Sequence, residues 1–142
     1  MSHMTEAEKA LKDLETGNLR GIDSIIAFLQ ADEYHFGSGY VKERSWHLLK
    51  RVSLSESQKR RLRVLAIRYL QRRMGREFWY MCRFMPLIAD DGFRSQVDEL
   101  AISKEEDVRQ RAILLQAYLR SPEEGERRRK QFKGQGFHLE PD

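Results

Sequence analysis

Apolar residues recur every three or four positions along most of this chain, and the alternation that is typical of β-strands is nearly absent. This spacing places the apolar side chains on one face of a helix. Only Pro86, Pro122 and Pro141 interrupt the 142 residues, so long stretches are free to form helices. The sequence therefore predicts an all-α fold of antiparallel helices joined by short connections.

Three segments carry a helix-start signal in which Ser or Thr precedes Glu or Gln by three positions. They are Thr5 with Glu8, Ser55 with Gln58, and Ser103 with Glu106. We expect the helix that starts at Ser55 to run to about Met74 and to stop at Gly75. Asp91 and Gly92 are expected to break the chain before a shorter helix.

The segment from Arg76 to about Ala89 is apolar on all sides of a helical wheel. A helix of this kind belongs in the middle of a soluble fold rather than on its surface. Pro86 lies inside the segment, so we expect the helix to kink there or to lose its regular hydrogen bonding.

The two ends of the chain differ in composition from its body. Residues 1–4 resemble a remnant of expression, and residues 5–120 are predicted to form a single all-helical domain. Residues 121–142 are predicted to be a basic helix end followed, beyond Gly134, by a mobile tail. No signal peptide pattern and no apolar run of about 18 residues is found, so we expect a cytoplasmic protein without a membrane partner.

Two segments of the chain share a sequence pattern. Residues 41–48 and 108–115 share the order Val, base, Glu or Gln, Arg, small residue, large apolar residue, any residue and Leu. The run from Asp107 to Ala112 resembles the second helix of a HEAT-like repeat. The resemblance implies antiparallel helix pairs stacked as a short right-handed solenoid with a concave binding face, but no particular ligand and no catalytic residue. An irregular helical bundle is the alternative fold.

Charge is unevenly distributed along the sequence. Lys and Arg number 26 against 22 Asp and Glu, a net charge of +4. Residues 42–76 alone hold twelve basic and two acidic residues, a net charge of +10, while the segments on either side are acidic. A helix with so few local acids projects a positive field that attracts an acidic partner.

Six basic residues form the predicted binding face. Arg61, Arg68 and Arg72 share one stripe of the helix that starts at Ser55, and Arg60 lies beside it. Lys50 and Arg51 end the preceding helix and would join the stripe if the two helices pack antiparallel. The alternative is a solvated or internally paired face, neutralised by the acids at 6–15 or 105–107.

An acidic protein surface is the predicted partner of this face, and a nucleic-acid backbone is the alternative. In the first case the protein would be a non-catalytic binding module of the adaptor, chaperone or toxin-neutralising immunity type. In the second it would be a nucleic-acid-binding HEAT-like protein that contacts phosphates through the same residues.

The sequence lacks the motifs that mark an enzyme or a metal protein. No paired histidines or cysteines have metal-ligand spacing, and Gly37-Ser38-Gly39 lacks the lysine of a phosphate-binding loop. Cys82 lies in the most apolar segment, where a small buried side chain is expected rather than a nucleophile. We therefore predict no catalytic residue, no metal and no cofactor.

Overall fold

The fold is all-helical, as predicted, in the computed structural model, which describes residues 3–32, 38–72, 75 and 77–134. Two short 3-10 segments, Leu19–Gly21 and Met85–Leu87, accompany the eight α-helices of these residues. The helices are α1 (His3–Glu15), α2 (Ile22–Ala31), α3 (Ser38–Leu49), α4 (Glu56–Gln71), α5 (Phe78–Phe84), α6 (Asp91–Leu100), α7 (Glu106–Arg120) and α8 (Pro122–Gly134). None of these helices has the length and apolar character that crossing a bilayer requires.

Most helices of the described residues pack against the second helix along the chain. α1 contacts α3, α3 contacts α5 and α5 contacts α7. In the same way α2 contacts α4, and α4 contacts α6. Two rows of helices therefore share one core, and α8 extends the odd-numbered row by packing on α7.

The middle of the core is α5, as its all-round apolar sequence predicts. Phe78, Trp79, Met81, Cys82 and Phe84 are all buried. The ring of Phe84 lies 5.3 Å from that of Trp46 in α3, which ties the two helices together. The α-helix ends at Phe84 and continues as the 3-10 segment that contains Pro86, so the predicted loss of regular hydrogen bonding is confirmed.

One of the three predicted helix-start signals is confirmed. The Ser55 hydroxyl accepts the Gln58 amide at 3.1 Å, and the Gln58 side chain accepts the Ser55 amide at 2.9 Å. The other two are wrong, because α1 already includes Thr5 and α7 begins only after Glu105. Ser103 instead accepts the Glu105 amide in the turn before α7.

Two further boundaries differ from the sequence prediction. Asp91 and Gly92 do not break the chain but form the first turn of α6, because the Asp90 carboxylate caps that helix by accepting the Phe93 amide at 2.8 Å. α4 ends at Gln71, before the predicted end at Met74, which lies outside the described residues. The predicted mobile tail beyond Gly134 also lies outside them.

The core extends past Arg120 into α8. Phe132 is buried and its ring lies 5.8 Å from that of Trp79 in α5. Gly125 is buried as well, and a Cβ at this position would overlap the ring of Tyr118 in α7. The close approach of α7 and α8 therefore depends on a glycine at 125.

We predict that Gly125→Ala lowers the free energy of unfolding by about 1–3 kcal/mol, because the added methyl group forces Tyr118 or α8 to move. Urea unfolding followed by circular dichroism measures the change. Gly92→Ala is the matched control, since a Cβ there comes only within 3.7 Å of the Asp90 carboxylate and fits the first turn of a helix. An equal effect of the two substitutions would contradict the packing argument.

Candidate binding surface

Two arginines of the predicted stripe are ion-paired with α2. Arg61 donates to the Asp23 carboxylate at 3.1 Å and to the Gln30 side chain at 2.8 Å. Arg72 lies just beyond the end of α4 and donates to the Asp32 carboxylate at 3.2 Å. Since α2 packs against α4, its carboxylates neutralise the side of α4 that faces it.

The other two arginines of α4 in the predicted set lie free at the surface. Arg60 is exposed and Arg68 is partly exposed, and neither makes an ion pair within the part of the chain that the structure describes. Val64 lies between them, one turn from each, and is 56% exposed. We call Arg60, Val64 and Arg68 the α4 ridge; it is about 12 Å long.

Four other bases of the segment 42–76 are also paired. Lys42 is fully buried, with its ammonium group 2.9 Å from Asp32 and 3.9 Å from Glu77. The remaining pairs are Arg44 with Glu15, Lys59 with Glu56, and Arg63 with Asp90. Arg73 and Arg76 lie outside the described residues. Six of the ten described bases of the segment 42–76 are therefore paired with carboxylates within the fold, and four are not.

Lys50 and Arg51 follow the last residue of α3 and are exposed. Lys50 lies beside Arg83 of α5, and burial together with the nearby Arg83 charge lowers the pKa of the Lys50 ammonium group. Neither Lys50 nor Arg51 has an ion-pair partner among the residues described by the structure. Four of the six predicted residues thus remain uncompensated, and two are paired with α2.

A cavity of about 330 Å³ opens next to Lys50. Its walls are mainly apolar and come from Pro86, Leu87, Pro122 and Tyr118, while Lys50, Arg83 and Glu126 bring charge to it. Leu87 is 62% exposed and also borders a second groove, of about 410 Å³, that runs toward Val52 and Leu54. Lys50 borders both spaces.

Beside this cavity Glu126 accepts three hydrogen bonds from two side chains. Arg83 donates Nε and Nη2 to its two carboxylate oxygens, each at 3.0 Å, and the Tyr118 hydroxyl donates to one of them. Hydrogen bonding from Arg83 lowers the pKa of Glu126 to about 2, against the opposing effect of its partial burial. Burial, followed by the Glu126 carboxylate, raises the pKa of Tyr118. At neutral pH the network thus holds one carboxylate, one guanidinium and one neutral phenol.

Sequence reasoning missed the Arg83, Glu126 and Tyr118 network. The available signal was Arg83 itself, a charged residue on a helix whose other side chains are apolar, which needs a partner once the helix is buried. The partner lies 43 positions further on, in a segment that the composition alone assigned to the periphery.

The described residues contain no group of three or more His, Cys, Asp or Glu side chains that could hold a metal ion. Cys82 is buried, and burial raises the pKa of its thiol well above the ordinary value, so the group is a neutral thiol at physiological pH. Comparison with protein-family models, with curated proteins and with solved structures found no match to this chain.

The Glu126 network predicts a specific pH dependence of stability. Because the folded-state pKa of Glu126 is about 2, against an ordinary value of 4.5, its stabilising effect is complete above about pH 4.5 and is lost as the pH falls toward 2. The difference in urea midpoint between wild type and Glu126→Gln should therefore shrink across this window. A difference that stays constant from pH 6 to about pH 2 would contradict the assignment.

Proposed function

We propose that this protein is a non-catalytic helical binding module that holds an acidic partner protein on the α4 ridge, with Arg51 and Lys50 as further contacts. The observation that carries the proposal is the exposure of Arg60 and Arg68, without a carboxylate partner among the described residues, on either side of the exposed Val64. Uncompensated arginines that flank an apolar side chain are typical of a contact with another protein.

The composition of the α4 ridge favours a protein over a nucleic acid. A phosphate backbone is bound by many cations at once, and the pairing of Arg61, Arg63 and Arg72 removes three of them from this face. Val64 adds apolar area, which stabilises a protein interface and contributes nothing to a phosphate contact. The partner in this proposal presents carboxylates around an apolar centre.

The scaffold in this proposal is a short HEAT-like solenoid. The contacts of α1 with α3, α3 with α5, α5 with α7, α2 with α4 and α4 with α6 support it, since stacked helices produce this pattern. The two segments that share a sequence pattern, 41–48 and 108–115, support it further, because they lie in α3 and α7, which both pack against α5. Their equivalent small residues, Ser45 and Ala112, are both fully buried. The proposed location is the cytoplasm, whose reducing conditions suit the unpaired Cys82.

The test is charge reversal on the α4 ridge. Arg60→Glu combined with Arg68→Glu should reduce the recovery of specific partner proteins more than tenfold, because like charges then face each other across the interface. Quantitative mass spectrometry of proteins captured from nuclease-treated lysate measures the recovery. The matched control is Lys9→Glu with Lys12→Glu, which makes the same change of net charge at two exposed positions of α1.

Partners that are lost with the α4 variant and kept with the α1 variant support the proposal. Equal recovery by both variants contradicts it. A second arm measures binding of duplex DNA over a salt series. Saturable binding that weakens steeply with salt, and that disappears with Arg60→Glu and Arg68→Glu, would replace the protein partner with a nucleic acid.

A further inference from the structure

The cavity beside Lys50 has the features of a small-molecule site that lies apart from the α4 ridge. Its volume of about 330 Å³ is at the lower end of the range for ligand pockets. Its walls are mainly apolar, and its polar groups converge from the end of α3, from α5 and from α8. A mainly apolar pocket with a few converging polar groups is the usual form of such a site.

The charges at this cavity favour an anion. Glu126 accepts hydrogen bonds from Arg83 and Tyr118, and Arg129 Nη1 lies 3.6 Å from one of its carboxylate oxygens. Lys50 has no counter-ion among the described residues, and burial, followed by the nearby Arg83 charge, lowers the pKa of its ammonium group. Glu126 already compensates Arg83, so Lys50 is the cation at this cavity without a carboxylate partner among the described residues, and an anion bound beside it would favour its charged form.

Arg83 borders the cavity and is held in place without a ligand. Glu126 holds its Nε and Nη2, and the guanidinium lies over the ring of Tyr80, 5.5 Å from the ring centre. The Nη1 hydrogens have no hydrogen-bond partner within the described residues. A side chain that is fixed before binding loses little conformational entropy when the ligand arrives.

We propose that this cavity binds a small carboxylate that carries a hydrocarbon chain, of the size of a medium-chain fatty acid. The carboxylate lies between Lys50 and Arg83, and the chain lies against Pro86, Leu87 and Pro122. The exposure of Leu87 fits this assignment, because a bound hydrocarbon chain would cover a leucine that the fold leaves in water.

Decanoate, at concentrations below micelle formation, is the probe, and isothermal titration calorimetry is the measurement. Decanoate should bind with saturation at one site, and affinity should rise about fourfold for each CH₂ group added from hexanoate to decanoate. Decanol and decyltrimethylammonium, which carry the same chain without the negative charge, should bind at least tenfold more weakly.

Lys50→Met removes the positive charge but retains the apolar contacts of the side chain, since methionine keeps most of the lysine stem. It should weaken decanoate at least tenfold and leave decanol unchanged. Lys104→Met, at an exposed position between α6 and α7, is the matched control and should change neither. Arg60→Glu with Arg68→Glu should also leave decanoate binding intact, so failure of the proposed function and failure of this site are distinguishable.

NMR of the lysine ε-CH₂ groups gives a second readout. Bound decanoate should raise the pKa of Lys50, because a neighbouring carboxylate favours the charged ammonium group. The proposal is overturned if decanol binds as tightly as decanoate, if Lys50→Met binds decanoate like wild type, or if no saturable binding is found.

Discussion

The ion pairs between α2 and α4 determine which arginines this protein presents to its surroundings. Asp23 binds Arg61 and Asp32 binds Arg72, so the side of α4 that faces α2 is electrically compensated. Asp32 also binds the buried Lys42, and one carboxylate thus anchors both α3 and the end of α4. The pair of Lys42 with Asp32 is buried, and removing one member would leave the other charge unsolvated, so this pair ties α3 to the end of α2.

The consequence is a division of the basic segment into an internal and an external part. Paired bases hold helices together, while Arg60 and Arg68 project beside Val64 without a carboxylate partner among the described residues. A binding function requires only the external part. Net charge summed along the sequence overstates the field that a partner meets, because six of the ten described bases of this segment are paired with acids in the fold.

A second polar network connects α5 with α7 and α8. Arg83 of the apolar α5 is satisfied by Glu126 of α8, and Gly125 lets α8 approach Tyr118 closely enough for this contact. Arg83, Glu126 and Tyr118 also line the apolar cavity that Lys50 borders. Helix packing and the chemistry of the proposed ligand site are therefore linked through one guanidinium group.

Several local features were predictable from the sequence, and contacts between distant segments were not. The capping box at Ser55, the buried α5 and the interruption at Pro86 depend on neighbouring residues, so they could be derived from spacing. A helical wheel correctly placed Arg61 on one face of α4 but could not show that Asp23, 38 positions earlier, lies opposite. Asp91 and Gly92 were predicted to break the chain because these residue types often form turns. The Asp90 cap instead places them in the first turn of α6.

The division of the arginines is tested most directly by NMR of arginine side chains, in which each Nε–Hε group gives its own signal. An acidic hexaglutamate peptide is added to the labelled protein, and the four signals of Arg60, Arg61, Arg68 and Arg72 are followed. The account predicts that Arg60 and Arg68 shift with saturation while Arg61 and Arg72, held by α2, stay in place. Equal shifts of all four, or shifts confined to Arg61 and Arg72, would contradict it.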